Sequence, residues 1–184
     1  MVNIKRVILI SGKRKCGKDY ISEKLQKRLG ETSQIVRISE PIKREWSKKT
    51  NVDLKELLSD GPLKEEYRKD MIKWGEEIRQ MDYGYFCKLA MDKAISETVV
   101  ISDIRRKSDI KYFKERYHDK VLIVRITCPE EIRIKRGWMY RHGIDDVESE
   151  CDLDDYEHWD LTVENNEQLD GDEIINLIMN KFEL

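Results

Sequence analysis

Residues 12–19 read Gly-Lys-Arg-Lys-Cys-Gly-Lys-Asp, which is G-x-x-x-x-G-K followed by Asp where Ser or Thr is usual. An unbroken apolar run, Val7-Ile8-Leu9-Ile10, stands before it. After it comes a stretch to Leu29 in which Ile21, Leu25 and Leu29 recur four residues apart. The order is a strand buried on both faces, a glycine loop, then an amphipathic helix, which constrains the chain more than any other feature. Gly12 and Gly17 permit backbone angles and close approaches that a β-carbon would block. Successive N–H groups can then converge on an anion at the start of a helix. Lys18 adds a point charge for the outer phosphates, and Lys13, Arg14 and Lys15 place three more cations inside the loop.

The rest of the chain repeats the alternation. Further strands are expected at Ile35 to Ile38, Thr98 to Ser102, Val121 to Ile126 and Trp159 to Val163, with helices at Ser108 to Arg116, from Pro129 into Arg136, and at Asp172 to Phe182. Between the second and third strands, residues 41–96 read as helix-rich. Pro41 and Pro62 sit where helices can begin, and Tyr67, Met71, Trp74 and Ile78 share one face. Residues 138–155 have no period and read as a loop or flap. Five nearly all-apolar strands alternating with helices predict an α/β fold with a parallel sheet covered on both faces. The length of 184 residues suits one domain. Within it, an insertion at about 41–96 and a lid at about 133–155 are expected.

The charge is divided sharply. Of 37 acidic residues, 15 lie from Asp145 onward, accompanied by one basic residue, Lys181, so the first 144 residues carry +12 and the remainder −14. A basic body implies an anionic ligand. The cations gather in loops at strand ends, with no basic helix stripe interleaved with aromatics, which argues for small phosphates over nucleic acid. No apolar run reaches bilayer length, and the N-terminus lacks a cleavage-site pattern. The C-terminus, Phe182-Glu183-Leu184, matches no simple targeting address, so a cytosolic protein is expected. Cys16, Cys87, Cys128 and Cys151 form no C-x-x-C pair and read as reduced thiols.

Ligands of such sheets bind beyond the carboxyl ends of the strands. There the third strand ends on Asp103-Ile104-Arg105-Arg106, whose guanidinium forks suit a second phosphate or a carboxylate. Lys43, Lys64, Arg68 and Arg79 of the helical region are expected as a group to complete this second anion site, although each taken alone reads as part of a solvated helix face. Arg133, Lys135, Arg136 and Arg141 flank Gly137-Trp138 in a cation-rich closing flap. Asp19, directly or through water, and Asp103, in the metal's water shell, are the candidate oxygen ligands for Mg²⁺, with a helix or turn cap as the alternative for Asp103. The acidic run from Asp145 to Asp155 is expected to pair with the flap cations or with the basic body in one state, and to stay out of the site itself, because it would repel ATP. Two anion sites, one at the loop and one for an acceptor, indicate a phosphotransferase. A nucleoside monophosphate kinase, and a nucleotide-binding switch without transfer, remain open on these residues.

The residues are also recognisable. The chain resembles the animal-type phosphomevalonate kinases along nearly its whole length, in the segments Ser11 to Asp19, Arg68 to Glu77, Ser102 to Arg106, Arg136 to Trp138 and Asp145 to Cys151. The Asp after the loop Lys, unusual for such loops generally, is this family's pattern. The resemblance implies a three-layer P-loop kinase fold of the nucleoside-monophosphate-kinase type, with a five-stranded parallel sheet, an acceptor-binding region and a lid. It implies Mg²⁺- and ATP-dependent conversion of (R)-5-phosphomevalonate to the diphosphate in the mevalonate route to isoprenoids and sterols, by a monomer without nucleic-acid or membrane partners. Carried over residue by residue, Lys13, Arg14, Lys15, Cys16, Gly17, Lys18, Asp19 and Arg136 would contact ATP. Lys13, Arg14, Lys18, Arg105 and Arg106 would be catalytic. Arg79, Arg105, Arg106 and Asn165 would contact the acceptor. Two departures are visible: Asn166 differs from the family form, and the peroxisome-like tripeptide of some relatives is missing.

Overall fold

The computed structural model describes residues 3–59, 61–166 and 168–184. The first strand, β1 (Arg6–Ser11), runs through the middle of a five-stranded parallel sheet ordered β2-β3-β1-β4-β5, with β2 at Ser33–Val36, β3 at Thr98–Ile104, β4 at Val121–Thr127 and β5 at Leu161–Glu164. Parallel strands need crossovers, and the helices supply them. They are α1 (Lys18–Leu29), α2 (Ser39–Thr50), α3 (Leu54–Leu58), α4 (Pro62–Met81), α5 (Tyr85–Met91), α6 (Lys107–Tyr117), α7 (Glu130–Lys135), α8 (Glu148–Cys151) and α9 (Gly171–Phe182).

Strand periodicity divides the core in two. Val7 and Leu9 of β1 join Val99 and Ile101 on one face, under Phe86, Cys87 and Ala90 of α5 and Ile110 and Phe113 of α6. Ile8 and Ile10 point the other way and meet Ile21 and Leu25 of α1 and Ile174, Ile175 and Ile178 of α9. This is why β1 is apolar at every position from Val7 to Ile10. A small third cluster, Trp46, Leu57 and Met71, holds α2, α3 and α4 together beside the sheet. Local chemistry sets the helix ends. Pro62 opens α4, Gly30 at φ 74° ends α1, and Asp170 with Glu173 forms a reciprocal capping box on α9.

Several boundaries differ from expectation, those of β2, β5 and the flap most. β2 begins two residues earlier, because Ser33 pairs with Thr98 in the ladder, and Ile38 falls beyond its end. β5 begins at Leu161 rather than Trp159. The Asp160 side chain and N–H bond the backbone of Ile123, while the Trp159 indole donates to Tyr156. The flap carries one helical turn, α8. Among the described residues no helix is long and apolar enough to cross a membrane, and no disulfide joins the cysteines.

Candidate active site

The glycine loop leaves the central strand where the strand order turns, with β3 on one side of β1 and β4 on the other. A β-carbon at Gly12 would stand 2.4 Å from the Cys16 sulfur and 2.7 Å from the Ile126 carbonyl, so only glycine lets the loop fold against β4. Lys15 and Gly17 lie at φ 62° and 91°, the left-handed turns that curl the loop toward α1. Cys16 is 1% exposed and faces the core, where burial pushes its thiol pKa up. Its contribution to a nucleotide site is therefore its backbone. The Cys16 carbonyl accepts from Asn165 Nδ2 at 2.9 Å and Arg136 NH1 at 3.2 Å, and Arg136 NH2 donates to Asn165 Oδ1 at 3.3 Å. This places Asn165 with the lid arginine against the loop backbone, outside the lining of the cavity described next.

In front of the loop is a cavity of about 550 Å³. Lys18 and Asp19 form its edge, Arg105 and Arg106 come from the end of β3, and Lys43, Lys64 and Arg68 come from α2 and α4. Ile42, Leu58, Met71, Ile72 and Ile144 supply apolar wall. Burial, followed by the neighbouring charge of Lys64, pulls the Lys43 ammonium pKa below its ordinary value. Arg68 and Arg37 add to this and Asp103 opposes it. A buried ammonium among neighbouring cations is prepared for an anion.

The two arginines after β3 are held from behind. Asp109 Oδ2 accepts the backbone N–H groups of Arg105 and Arg106 at 3.3 and 3.2 Å, and its Oδ1 takes Arg79 NH1 at 2.6 Å. Arg79 does not line the cavity. It is 8% exposed and lies over the Phe86 ring, so it touches the site only through Asp109. The Arg106 guanidinium pairs with Glu76. Asp103 spends both oxygens on N–H groups at the entry to α2, Ile38 at 2.8 Å and Ser39 at 2.9 Å. Asp19 leaves its carboxylate 60% exposed beside Lys18 Nζ at 3.3 Å. One accessible carboxylate at the loop suits Mg²⁺ that arrives with nucleotide and keeps phosphate and water as its other ligands. Asp103, with its oxygens already accepting, suits an outer role.

The acidic segment requires a correction. Expected to avoid the site, it lies on the site's cations. Glu150 lines the cavity and pairs with Arg105, and its carbonyl accepts Lys13 Nζ at 2.7 Å. Asp154 takes Lys13 at 2.6 Å and Asp145 takes Arg14 at 2.9 Å. Pairing with cations of the body is as expected, but the cations it pairs with are those at the site, so its position there outweighs the repulsion of a nucleotide. Burial works against the Arg105 charge, yet Glu150, Asp103 and Asp19 together hold its pKa above the ordinary value. Within the lid, Arg133 stacks on Trp138 and Arg141 reaches Glu65 of α4 at 2.8 Å. Sequence reasoning also missed Arg37 and Ser39, both of which line the cavity at the end of β2. The strand-end rule would have found Arg37 had β2 been ended at Val36.

Comparison with known proteins agrees with this geometry. The family profile described as phosphomevalonate kinase matches residues 10–119. The phosphomevalonate kinase of Drosophila melanogaster is 53% identical over 185 residues, covering 97% of each chain. Among solved structures, a gluconokinase from Sinorhizobium meliloti superposes with a TM-score of 0.55 at 12% identity, over 99% of this chain and 94% of that one. A shikimate kinase from Aquifex aeolicus gives 0.51 at 15% identity, over 96% of both. At these identities the structural likeness is one of fold, that of the P-loop kinases.

Proposed function

The chain belongs to the phosphomevalonate kinase family, and from that premise we propose how its residues carry out the transfer. The reaction is phosphorylation of (R)-5-phosphomevalonate by ATP to give the 5-diphosphate and ADP, a step of the mevalonate route. The observation that carries our assignment of parts is the cation-lined cavity with an apolar wall directly in front of Lys18. Among the described residues none of its lining side chains is aromatic. A short aliphatic acceptor with an anion at each end fits this lining, and a nucleobase would find no stacking partner.

The acceptor phosphate is a monoester with a second pKa near 6, so at neutral pH it is largely dianionic. One of its oxygens attacks the γ-phosphorus, the bond from that phosphorus to the ADP oxygen breaks, and no general base is required. The obstacle is bringing two polyanions together, which cations overcome. Lys18 follows the transferring group. Lys13 and Arg14 neutralise charge between donor and acceptor. Arg105 and Arg106 hold the acceptor phosphate, and Lys43, Lys64, Arg68 and Arg37 hold its far end. Lys15, Cys16 and Gly17 offer loop N–H groups to ATP, and Arg136 with Asn165 closes the nucleotide side. Mg²⁺ beside Asp19, with Asp103 behind it, would draw charge from the outer phosphates. We propose a cytosolic monomer as the working unit.

The test is ADP release with ATP and a panel of acceptors: phosphomevalonate, mevalonate, and the common nucleoside and deoxynucleoside monophosphates. Release with phosphomevalonate alone is expected. Release with a nucleoside monophosphate would keep the fold and the loop roles and remove the acceptor assignment of Arg105 and Arg106.

A further inference from the structure

Asp145 lies outside every role assigned above, yet it is the point where lid and glycine loop meet. Its side chain is 6% exposed. Oδ1 accepts from Arg14 NH1 and from the Trp138 indole, both at 3.1 Å. Oδ2 accepts from Arg14 NH1 and from the Arg141 backbone N–H, both at 2.9 Å. The circuit closes on itself. Trp138 carries the Arg133 guanidinium 4.1 Å above its ring, and Arg133 Nε donates to the Arg14 carbonyl at 2.8 Å. Arg14 is thus gripped at its side chain by Asp145 and at its backbone by Arg133, and one lid indole links the two grips.

We infer that Asp145 is a positioning residue, which makes closure of the lid and placement of Arg14 a single event. Both contacts to Asp145 use one guanidinium nitrogen, NH1, so the rest of that edge remains for phosphate. The carboxylate therefore aims Arg14 and does not consume it. Trp138 and Arg141 belong to the lid with Asp145 and fix the direction of its carboxylate from within the lid. Moving the lid away would carry that carboxylate and the Arg133 donor off together, and Arg14 would lose both its side-chain and its backbone grip at once.

The inference rests on the reading of Arg14 as a cation of the transfer. The experiment is a double-mutant cycle on the full chain, with kcat and both KM values measured by ADP release and folding followed by thermal melts. Asp145→Asn preserves size but sets an amide donor against the Arg14, Trp138 and Arg141 donors. It is expected to lower kcat by about 10²-fold with little change in the acceptor KM. In an Arg14→Gln background the same substitution should change kcat by less than about twofold, because the two act as one unit. Trp138→Phe removes one donor of the circuit and keeps the ring, so it runs the same cycle with a smaller loss should Asp145→Asn not fold. Losses that multiply in the double variants would overturn the positioning role while leaving Arg14 in the mechanism. An Arg14→Gln protein with wild-type turnover would remove the reading of Arg14, and this inference with it.

Discussion

Asp109 and Arg79 form a pair 2.6 Å apart, with side chains 1% and 6% exposed. Changing Asp109 to Asn removes the charge and leaves the shape. Asn offers one oxygen where the carboxylate offered two, and both sides of this carboxylate face donors: Arg79 and the Cys87 thiol on Oδ1, the N–H groups of Arg105 and Arg106 on Oδ2. Either orientation of the amide therefore sets NH₂ against a donor and strands a buried guanidinium. Removing one partner of a buried ion pair costs about 3–5 kcal/mol. In a chain of this size each kcal/mol lowers Tm by roughly 2–4 °C, so a fall of roughly 6–20 °C is expected. Arg79→Met should also destabilise, and the double variant Arg79→Met with Asp109→Asn should lose clearly less than the two single losses added, because no lone buried charge remains.

Thermal and urea melts without ligand read this directly. A fall under about 2 °C for Asp109→Asn would refute the buried-pair account, given the slope just used. The Arg79 variant decides its role. A cation that only touches acceptor would melt as wild type does when it is removed and would show itself in the acceptor KM alone. The structure predicts the reverse order: stability falls first, and the acceptor KM rises because Asp109, left without Arg79, holds the Arg105–Arg106 loop less firmly.

Two further outcomes follow from the cavity's electrostatics. Glu150→Gln removes a negative charge from the wall and frees Arg105, so the acceptor should bind the nucleotide-free enzyme on the order of tenfold more tightly by calorimetry; weaker binding would mean that Glu150 aims Arg105 and does not compete for it. Burial and then Lys64 lower the Lys43 pKa, and a bound anion would restore it. Acceptor affinity should therefore fall as pH rises through that lowered value, on the alkaline side but before an ordinary lysine titrates. In the unliganded protein the sign is opposite, since stability lost to the buried charge returns as pH rises through the same range. Lys43→Arg should flatten the alkaline limb of the acceptor KM profile, and an unchanged limb would assign it to another group.

How far the sequence could be read depends on how locally each feature is encoded. The loop from Gly12 to Asp19 was legible because its strand, turn and helix are contiguous, and each glycine meets a steric demand that the structure bears out at Gly12 and Gly17. The four apolar residues of β1 were legible as a strand covered on both faces for the same reason. Arg79 was not legible as a core residue. Its partner, Asp109, is 30 positions away, and a buried cation with a distant partner looks in sequence like any cation near a site. Arg37 was hidden by a two-residue error in the end of β2, which carried it from the mouth of the cavity into a strand.

The acidic run from Asp145 shows a different limit, since its pairing with cations of the body was legible and its place at the cavity was not. The sign of a charge says what it repels in isolation, but a folded chain must also solvate its own cations. A body carrying +12 with several cations around one cavity repels itself whenever no phosphate is present. The carboxylates of Asp145, Glu150 and Asp154 relieve that repulsion at Arg14, Arg105 and Lys13. Substrate phosphates would meet the same three cations, so anion binding here is an exchange of partners rather than a simple gain. Its strength is the difference between phosphate and carboxylate at each cation. A carboxylate bound by several donors, such as Asp145, will then stay in place, while one more easily displaced, such as Asp154, 47% exposed beside Lys13, will yield first.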